Sequence, residues 1–271
     1  MSLKHLTANG LQFAYHEAGS GPVVLLVHGF PDTARTWDAF LQPIADAGFH
    51  AVAPYLRGYP PTGLPPRDTT ARDLGEDVLG WMDALEAETA ILVGHDWGAA
   101  AVYAAASLAP SRVTKLVALA IPHPLSLRPT PSLAWGARHF LTLRLPGAAH
   151  RFARNDWFGV DELVRRWSPS WQFTPADLAD VKRCFGEPGA LDAALGYYRT
   201  VGRSPDFLRT KLPMPALAFC GREDIAPVAA FHSAKRAFTG SYDVVELPCG
   251  HFPQREQTAE VLSRLLAFLT S

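Results

Sequence analysis

The stretch Gly94-His95-Asp96-Trp97-Gly98 constrains this chain more than any other. Ahead of it stands Ala90-Ile91-Leu92-Val93, an apolar run that reads as a buried strand. Behind it runs an Ala-rich stretch, Ala99 to Ala109, that reads as a helix with little side-chain bulk. A strand that turns straight into a helix needs a tight corner. Gly94 and Gly98 flank Asp96 two residues to either side, where a Cβ would meet the opposite wall of the turn. The pattern is a nucleophile elbow, with aspartate where serine is usual. Such a corner lifts its central side chain above the sheet and aims helix N-terminal N–H groups at the same place. The competing reading is an ordinary strand–helix turn with Asp96 as the helix N-cap.

The elements around the elbow alternate. Residues 3 to 17 read as an edge hairpin closed at Gly19-Ser20-Gly21-Pro22. Val23 to Val27 is an apolar strand of the kind buried on both faces, and it runs into His28-Gly29-Phe30-Pro31-Asp32. A helix carrying Trp37, Phe40, Leu41 and Ile44 follows, then strand Phe49 to Pro54, helix Leu74 to Leu85, and, after the elbow, strand Val113 to Ala120. Alternation then stops. From Pro122 to about Arg209 the chain holds helical-looking pieces only: Leu133 to Leu143, Ala149 to Phe158, Asp161 to Trp167, Pro175 to Phe185 and Leu191 to Val201. It resumes with strand Ala216 to Cys220, helix Val228 to Phe238, strand Asp243 to Leu247 and helix Glu260 to Leu269. The predicted class is α/β with a mostly parallel sheet flanked by helices. The predicted organisation is a core of residues 1–121 and 211–271, with residues 122–210 a helical cap over the sheet's C-terminal edge.

Composition narrows the function. The net charge is -1 and no block of like charges occurs, which argues against nucleic acid or an acidic membrane as partner. No apolar run reaches the length of a membrane span and the N-terminus has no signal-like apolar core, so a cytoplasmic protein acting on a small molecule is expected. Cys184, Cys220 and Cys249 are too few and too scattered for a disulfide framework or a zinc site, and are expected as reduced thiols. The 7 Trp and 15 Phe suit an apolar pocket as well as a core. No metal or organic cofactor is called for. Oligomeric state is left open.

Three chemically useful side chains fall at the C-terminal ends of three strands: Asp96, Asp224 and His251. In an open parallel sheet those ends share one rim, where ligands bind. The order of nucleophile, acid and histidine is the order expected on such a sheet. Each alone has a plain explanation, since Asp224 suits a helix cap and His251 suits a satisfied, partly buried histidine. Their agreement in type, order and position is what points to chemistry.

His28-Gly29-Phe30-Pro31, Gly94-His95-Asp96-Trp97-Gly98, Gly221-Arg222-Glu223-Asp224 and Gly250-His251 together resemble the epoxide hydrolases of the α/β-hydrolase fold and the related haloalkane dehalogenases. The resemblance spans nearly the whole chain. It implies Asp96 as nucleophile, His251 as base and Asp224 as the group that orients it. The physical logic runs beside it. A carboxylate with an ordinary pKa of about 4 is ionised at neutral pH and attacks a saturated carbon without first losing a proton. The product is an alkyl ester on Asp96. His251 then draws a proton from a water that attacks the ester carbonyl, while Asp224 fixes the imidazole tautomer. Backbone N–H groups of Phe30 and Trp97 are the expected oxyanion donors, each worth about 3 kcal/mol in the transition state.

The leaving group separates the two families. The Gly196-Tyr197-Tyr198-Arg199 segment resembles a cap segment of the epoxide hydrolases and places Tyr198 on their donor tyrosine, with Tyr197 in place of a packing tryptophan. No second tyrosine is available between Tyr103 and Tyr197. Counting back from Pro146-Gly147, which resembles a Pro-Gly of the epoxide hydrolases, the resemblance implies His139 at the second donor position; His123 and His150 are weaker candidates. The haloalkane dehalogenase alternative would use Trp97 and a cap tryptophan (Trp135, Trp157, Trp167 or Trp171) as halide donors. Phe30 stands where one dehalogenase subgroup carries asparagine, and Trp97 with Ala99-Ala100-Ala101 supplies no cation for a carboxylated substrate. Arg57-Gly58-Tyr59 resembles a family turn and reads as structural. The expected activity is conversion of a neutral or apolar epoxide and water to a vicinal diol. A hydrolase-fold protein that holds a ligand without turnover is the alternative of another class.

Overall fold

The computed structural model describes residues 2–126, 138–201 and 206–271. The strands are β1 Lys4–Ala8, β2 Leu11–Ala18, β3 Val23–Val27, β4 His50–Pro54, β5 Ala90–His95, β6 Val113–Leu119, β7 Ala216–Gly221 and β8 Tyr242–Leu247. They form one sheet in the order β1-β2-β4-β3-β5-β6-β7-β8. The β1–β2 hairpin pairs antiparallel and joins β4 antiparallel; every pairing from β4 through β3 to β8 is parallel. The α/β expectation holds. β3, β5 and β7 are buried along their whole length, which is why they read as unbroken apolar runs rather than alternating ones.

Around the sheet run α1 Asp38–Asp46, α2 Ala71–Ala84, α3 Trp97–Leu108, α8 Val228–Ser233, α9 Pro253–Glu256 and α10 Thr258–Thr270. Between β6 and β7 lie α4 His139–Thr142, α5 Ala148–Trp167, α6 Pro175–Gly186 and α7 Ala190–Thr200. The first half of the helix expected over 133–143, with Trp135, falls outside the described residues. α2 starts behind Thr70, whose side chain and that of Asp73 form a reciprocal capping box, so it begins three residues earlier than its apolar pattern.

Two helices differ from expectation. The pieces expected at Ala149–Phe158 and Asp161–Trp167 are two helical segments of α5, as expected, but the break between them falls earlier, at Arg154–Trp157, where Asn155, Asp156 and Trp157 have φ of 50°, 55° and 64°. No Gly or Pro marks that turn; its local signal is Asn155-Asp156, two residues that tolerate the left-handed region. The helix expected over Val228–Phe238 stops at Ser233 and tightens into a 3₁₀ turn over Ala234–Ala237.

The chain order reverses beside β3: β4 lies on one side of it and β5 on the other. That reversal opens a crevice at the C-terminal ends of β3 and β5, the usual place for a ligand on such a sheet. Phe30 follows β3 and Asp96 follows β5, so the topology sets them across the crevice. The three cysteines are buried free thiols. Among the described residues no helix is long and apolar enough to cross a membrane.

Candidate active site

Asp96 occupies the corner between β5 and α3 with φ 51° and ψ -117°, a conformation that side-chain-bearing residues rarely adopt. Close backbone approach holds it there. A Cβ on Gly98 would lie 2.1 Å from the Val27 carbonyl oxygen, and one on Gly94 would lie 2.3 Å from the Gly98 oxygen. Gly29, across the crevice, approaches so near that a Cβ would lie 2.4 Å from that of Asp96. Asp96 stands at the N-cap position, yet its side chain makes no capping hydrogen bond. Its carboxylate is turned instead into the crevice.

Two groups meet that carboxylate. The Phe30 N–H donates to Oδ1 at 2.8 Å, and His251 Nε2 lies 3.3 Å from Oδ2. Trp97 N–H makes no hydrogen bond to it; of the two expected backbone donors, Phe30 alone is engaged with the carboxylate. On its other side His251 Nδ1 faces Asp224, at 2.9 Å from Oδ1 and 3.0 Å from Oδ2. Asp224 also accepts from the Ile225 N–H at 2.6 Å, so it serves its own turn and the histidine together. Asp96, Asp224 and His251, from three strand ends, thus form one continuous line.

Burial pulls the His251 imidazole down, but Asp224 and then Asp96 outweigh it and carry its pKa to about 10. Burial pushes the Asp96 carboxyl up, and the hydrogen bond and charge of His251 more than reverse this, leaving it below the usual carboxylate value. At neutral pH the site rests as an imidazolium between two carboxylates. The neighbouring histidines are of another kind. His28 donates from Nδ1 to the Gly29 carbonyl at 2.9 Å and accepts the Leu56 N–H at Nε2, 3.0 Å away. Burial lowers its pKa to about 4. His95 donates from Nε2 to the His251 carbonyl at 2.7 Å, and burial, with His251 beside it, lowers its pKa to about 3. Both are neutral fixtures of the two turns.

The helices between β6 and β7 bring an aromatic wall to the crevice. The Tyr198 ring lies 5.2 Å from that of Trp97, 5.3 Å from Phe30 and 5.1 Å from Phe140. Its hydroxyl is buried and has no hydrogen-bond partner. The Trp97 indole is near its oxygen, but an indole only donates, so the phenolic proton finds no acceptor. Burial, reinforced by the Asp96 charge, holds this phenol well above its ordinary pKa. Its neighbour Tyr197 points the other way and donates to the Arg57 carbonyl at 2.7 Å, while Arg57 itself is paired with buried Asp77. His139 is buried in the same wall, its ring 5.8 Å from Tyr198 and 4.7 Å from Trp167. His123 packs against Tyr103 at 4.9 Å and Phe238 at 6.0 Å as a core residue, and His150 is exposed. A small cavity of about 80 Å³, lined by Asp96, Trp97, Ala100, Ile121 and Phe140, lies against the carboxylate.

One support of the site has no motif. Ser168, just past α5, accepts the His251 N–H at 2.8 Å and donates to Glu256 at 2.7 Å. Glu256 also accepts the N–H groups of Gly250 at 2.9 Å and Phe252 at 3.0 Å. The His251 loop is thereby clasped between α5 and α9. Only Gly250 hints at it, since a Cβ there would lie 2.3 Å from the Ser168 Cα.

The profile of the Alpha/beta hydrolase family matches residues 24–264. The chain is similar to Epoxide hydrolase A of Mycobacterium tuberculosis, 30% identical over 97% of this chain and 95% of that one. It is 32% identical to AB hydrolase superfamily protein YfhM of Bacillus subtilis, over 72% of each chain. Among solved structures, the Bacillus megaterium epoxide hydrolase in complex with an inhibitor superposes with a TM-score of 0.88 at 25% identity, covering 99% of this chain and 100% of that one.

Proposed function

The chain belongs to the alpha/beta hydrolase family, among its epoxide hydrolases, and from that premise we propose that it opens a neutral or apolar epoxide to a vicinal diol through an ester on Asp96. The observation that carries this reading is the divided environment of the Asp96 carboxylate. Oδ1 is held by a backbone N–H and Oδ2 by a longer contact to His251. Oδ2 is therefore the oxygen that attacks, and Oδ1 the one that becomes the ester carbonyl.

In the first step Oδ2 forms a bond to an epoxide carbon while that carbon's bond to the ring oxygen breaks. The ring oxygen takes the Tyr198 proton, for which no resident acceptor competes. His139, from the same wall, is the proposed second donor. Ester formation removes the Asp96 charge and with it one of the two carboxylates that hold His251 protonated. The imidazolium yields its proton to the tyrosinate and becomes a base. His251 then takes a proton from water, whose oxygen attacks the ester carbon. The resulting oxyanion sits at the Oδ1 position, within reach of the Phe30 N–H, with Trp97 N–H as the proposed second donor. Collapse releases the diol and restores Asp96. The walls around the carboxylate, Trp97, Ala100, Ile121 and Phe140, carry no charge, which supports an apolar reacting end.

A panel of styrene oxide, a bromoalkane and a p-nitrophenyl ester tests the reading. Diol from the epoxide is expected. Halide release without diol would replace it with a dehalogenase, and silence toward all three would favour a ligand-holding role. A single turnover in heavy-oxygen water is expected to label Asp96 and leave the first diol unlabelled; label appearing directly in that diol would overturn the ester scheme.

A further inference from the structure

Tyr198 has a proton to deliver, yet in the resting protein no acceptor fixes its hydroxyl. A buried phenol ordinarily has a hydrogen-bond partner that aims it. Here the aim comes from the rings around Tyr198 and from the helix that carries it, α7. Whatever seats α7 therefore bears on the reaction.

The residue before Tyr198 supplies a seat. Tyr197 is fully buried, and its hydroxyl donates to the Arg57 carbonyl at 2.7 Å. That carbonyl belongs to the turn after β4, and the turn is itself pinned. The Arg57 guanidinium donates to both oxygens of buried Asp77 on α2 through Nε and Nη2, and Asp77 also accepts from Asn9 Nδ2 at 3.1 Å. A guanidinium bonded twice to one carboxylate is fixed in direction as well as distance. Gly58, next in the turn, has φ of 78°, and a Cβ there would lie 2.7 Å from the Cβ of Ala193. Ala193 and Tyr197 stand at i and i+4 on one face of α7, so that face rests on the Arg57–Gly58 turn at two successive levels.

The ties at the end of α7 are of another kind. Thr200 Oγ1 donates to the Thr69 carbonyl at 2.6 Å, and Arg199 pairs with exposed Asp68, so both fasten the last turn of the helix. Tyr197 reaches inward instead. Its ring stands 5.5 Å from that of Trp97 at 84°, as the Tyr198 ring stands 5.2 Å from it at 89°. Both tyrosines thus meet the indole that follows Asp96.

We propose that Tyr197 is a positioning residue for the opening step: its bond to the Arg57 carbonyl sets how far the Tyr198 hydroxyl stands from the ring oxygen of a bound epoxide. The role rests on the epoxide reading, because it acts through the Tyr198 proton. It also has a definite range. Tyr198 serves the opening of the epoxide and not the attack of water on the ester, so a misplaced Tyr198 slows the first step and spares the second. A misplacement of about 1 Å costs on the order of 10²-fold in rate. A helix that loses one tie and keeps those at its end shifts by less, and a loss of about tenfold is expected.

Tyr197→Phe keeps the ring against Trp97 and Tyr59 and removes the bond alone. Single turnovers of styrene oxide with enzyme in excess, followed by rapid quench and intact-protein mass spectrometry, time epoxide consumption and ester decay separately. Wild type, Tyr197→Phe, Tyr198→Phe and the double variant are compared. Opening is expected to fall about tenfold in Tyr197→Phe, with ester decay within about twofold of wild type. In the Tyr198→Phe background no hydroxyl is left to position, and adding Tyr197→Phe is expected to cost less than about twofold. Ala193→Val sets methyl groups against Gly58 while leaving both hydroxyls in place; it is expected to give the same pattern, and it decides the matter where Tyr197→Phe does not fold. Opening at the wild-type rate in the deciding variant overturns the proposal. So does an equal loss in both steps, the mark of general loosening. A tenfold loss that persists in the Tyr198→Phe background overturns the positioning role and leaves the epoxide reading standing. A wild type inert to epoxides sinks that reading and the positioning role together.

Discussion

Tyr198→Phe separates what a hydroxyl does for folding from what it does for reaction. The ring contacts with Trp97, Phe30 and Phe140 survive the change, because they belong to the aromatic face. The hydroxyl itself has no partner in the resting protein. A buried polar group left unpaired costs roughly 1–3 kcal/mol, and its removal returns part of that, offset by the void of one oxygen. The expected stability change is between zero and about +1 kcal/mol, or a Tm rise of at most about 2–4 °C for a chain of this size. Catalysis moves the other way. Losing one donor to developing negative charge in a dry site costs on the order of 10²–10³ in rate. Thermal unfolding followed by circular dichroism, beside single-turnover epoxide opening, reads both quantities on one preparation. Opposite signs are the expected result. A variant that melts several degrees below wild type while opening the epoxide within about threefold of it would refute the reasoning.

His251→Gln is expected to let the first step proceed and block the second, so intact-protein mass spectrometry should find one substrate mass added on Asp96; an unmodified mass after incubation with an epoxide that wild type consumes counts against the scheme. The His251 pKa of about 10 lies above its ordinary 6.5, so the stability it confers is complete below about pH 6.5 and is lost as pH rises through about 10. Asp96→Asn removes one of the two carboxylates and should shorten that alkaline decline in urea unfolding, whereas parallel declines in both proteins would contradict the charge pairing. Ser168→Ala leaves the His251 N–H its second acceptor, the Trp167 carbonyl at 3.1 Å, and leaves Glu256 its two backbone donors. A loss of about 1–2 kcal/mol of stability with a drop in kcat at unchanged KM is expected, and a pure KM effect would deny the loop a positioning role.

What could be read from the chain beforehand was local. The corner at Asp96 announces itself because the same glycines that allow it must sit at fixed offsets, and the close approaches of Gly94 and Gly98 are the physical reason. Strands β3, β5 and β7 announce themselves as unbroken apolar runs, because they are buried along their whole length. The bend in α5 is only half announced: Asn155 and Asp156 tolerate the left-handed region, but Trp157, left-handed beside them, carries no such signal. Ser168 and Glu256 escape for a related reason. They meet the His251 loop across 83 and 6 residues of sequence separation, and a serine and a glutamate carry no distinctive spacing.

The corner at Asp96 has a bearing on how such a scaffold changes over time. Its unusual backbone is enforced by three glycines and neighbouring carbonyls, and the side chain contributes no bond to the helix it precedes. Shape and chemistry are therefore inherited through different residues. A single codon exchange at position 96 would swap the attacking group while leaving the pedestal beneath it standing, and a lineage built on this pedestal is free to explore new reactions one side chain at a time.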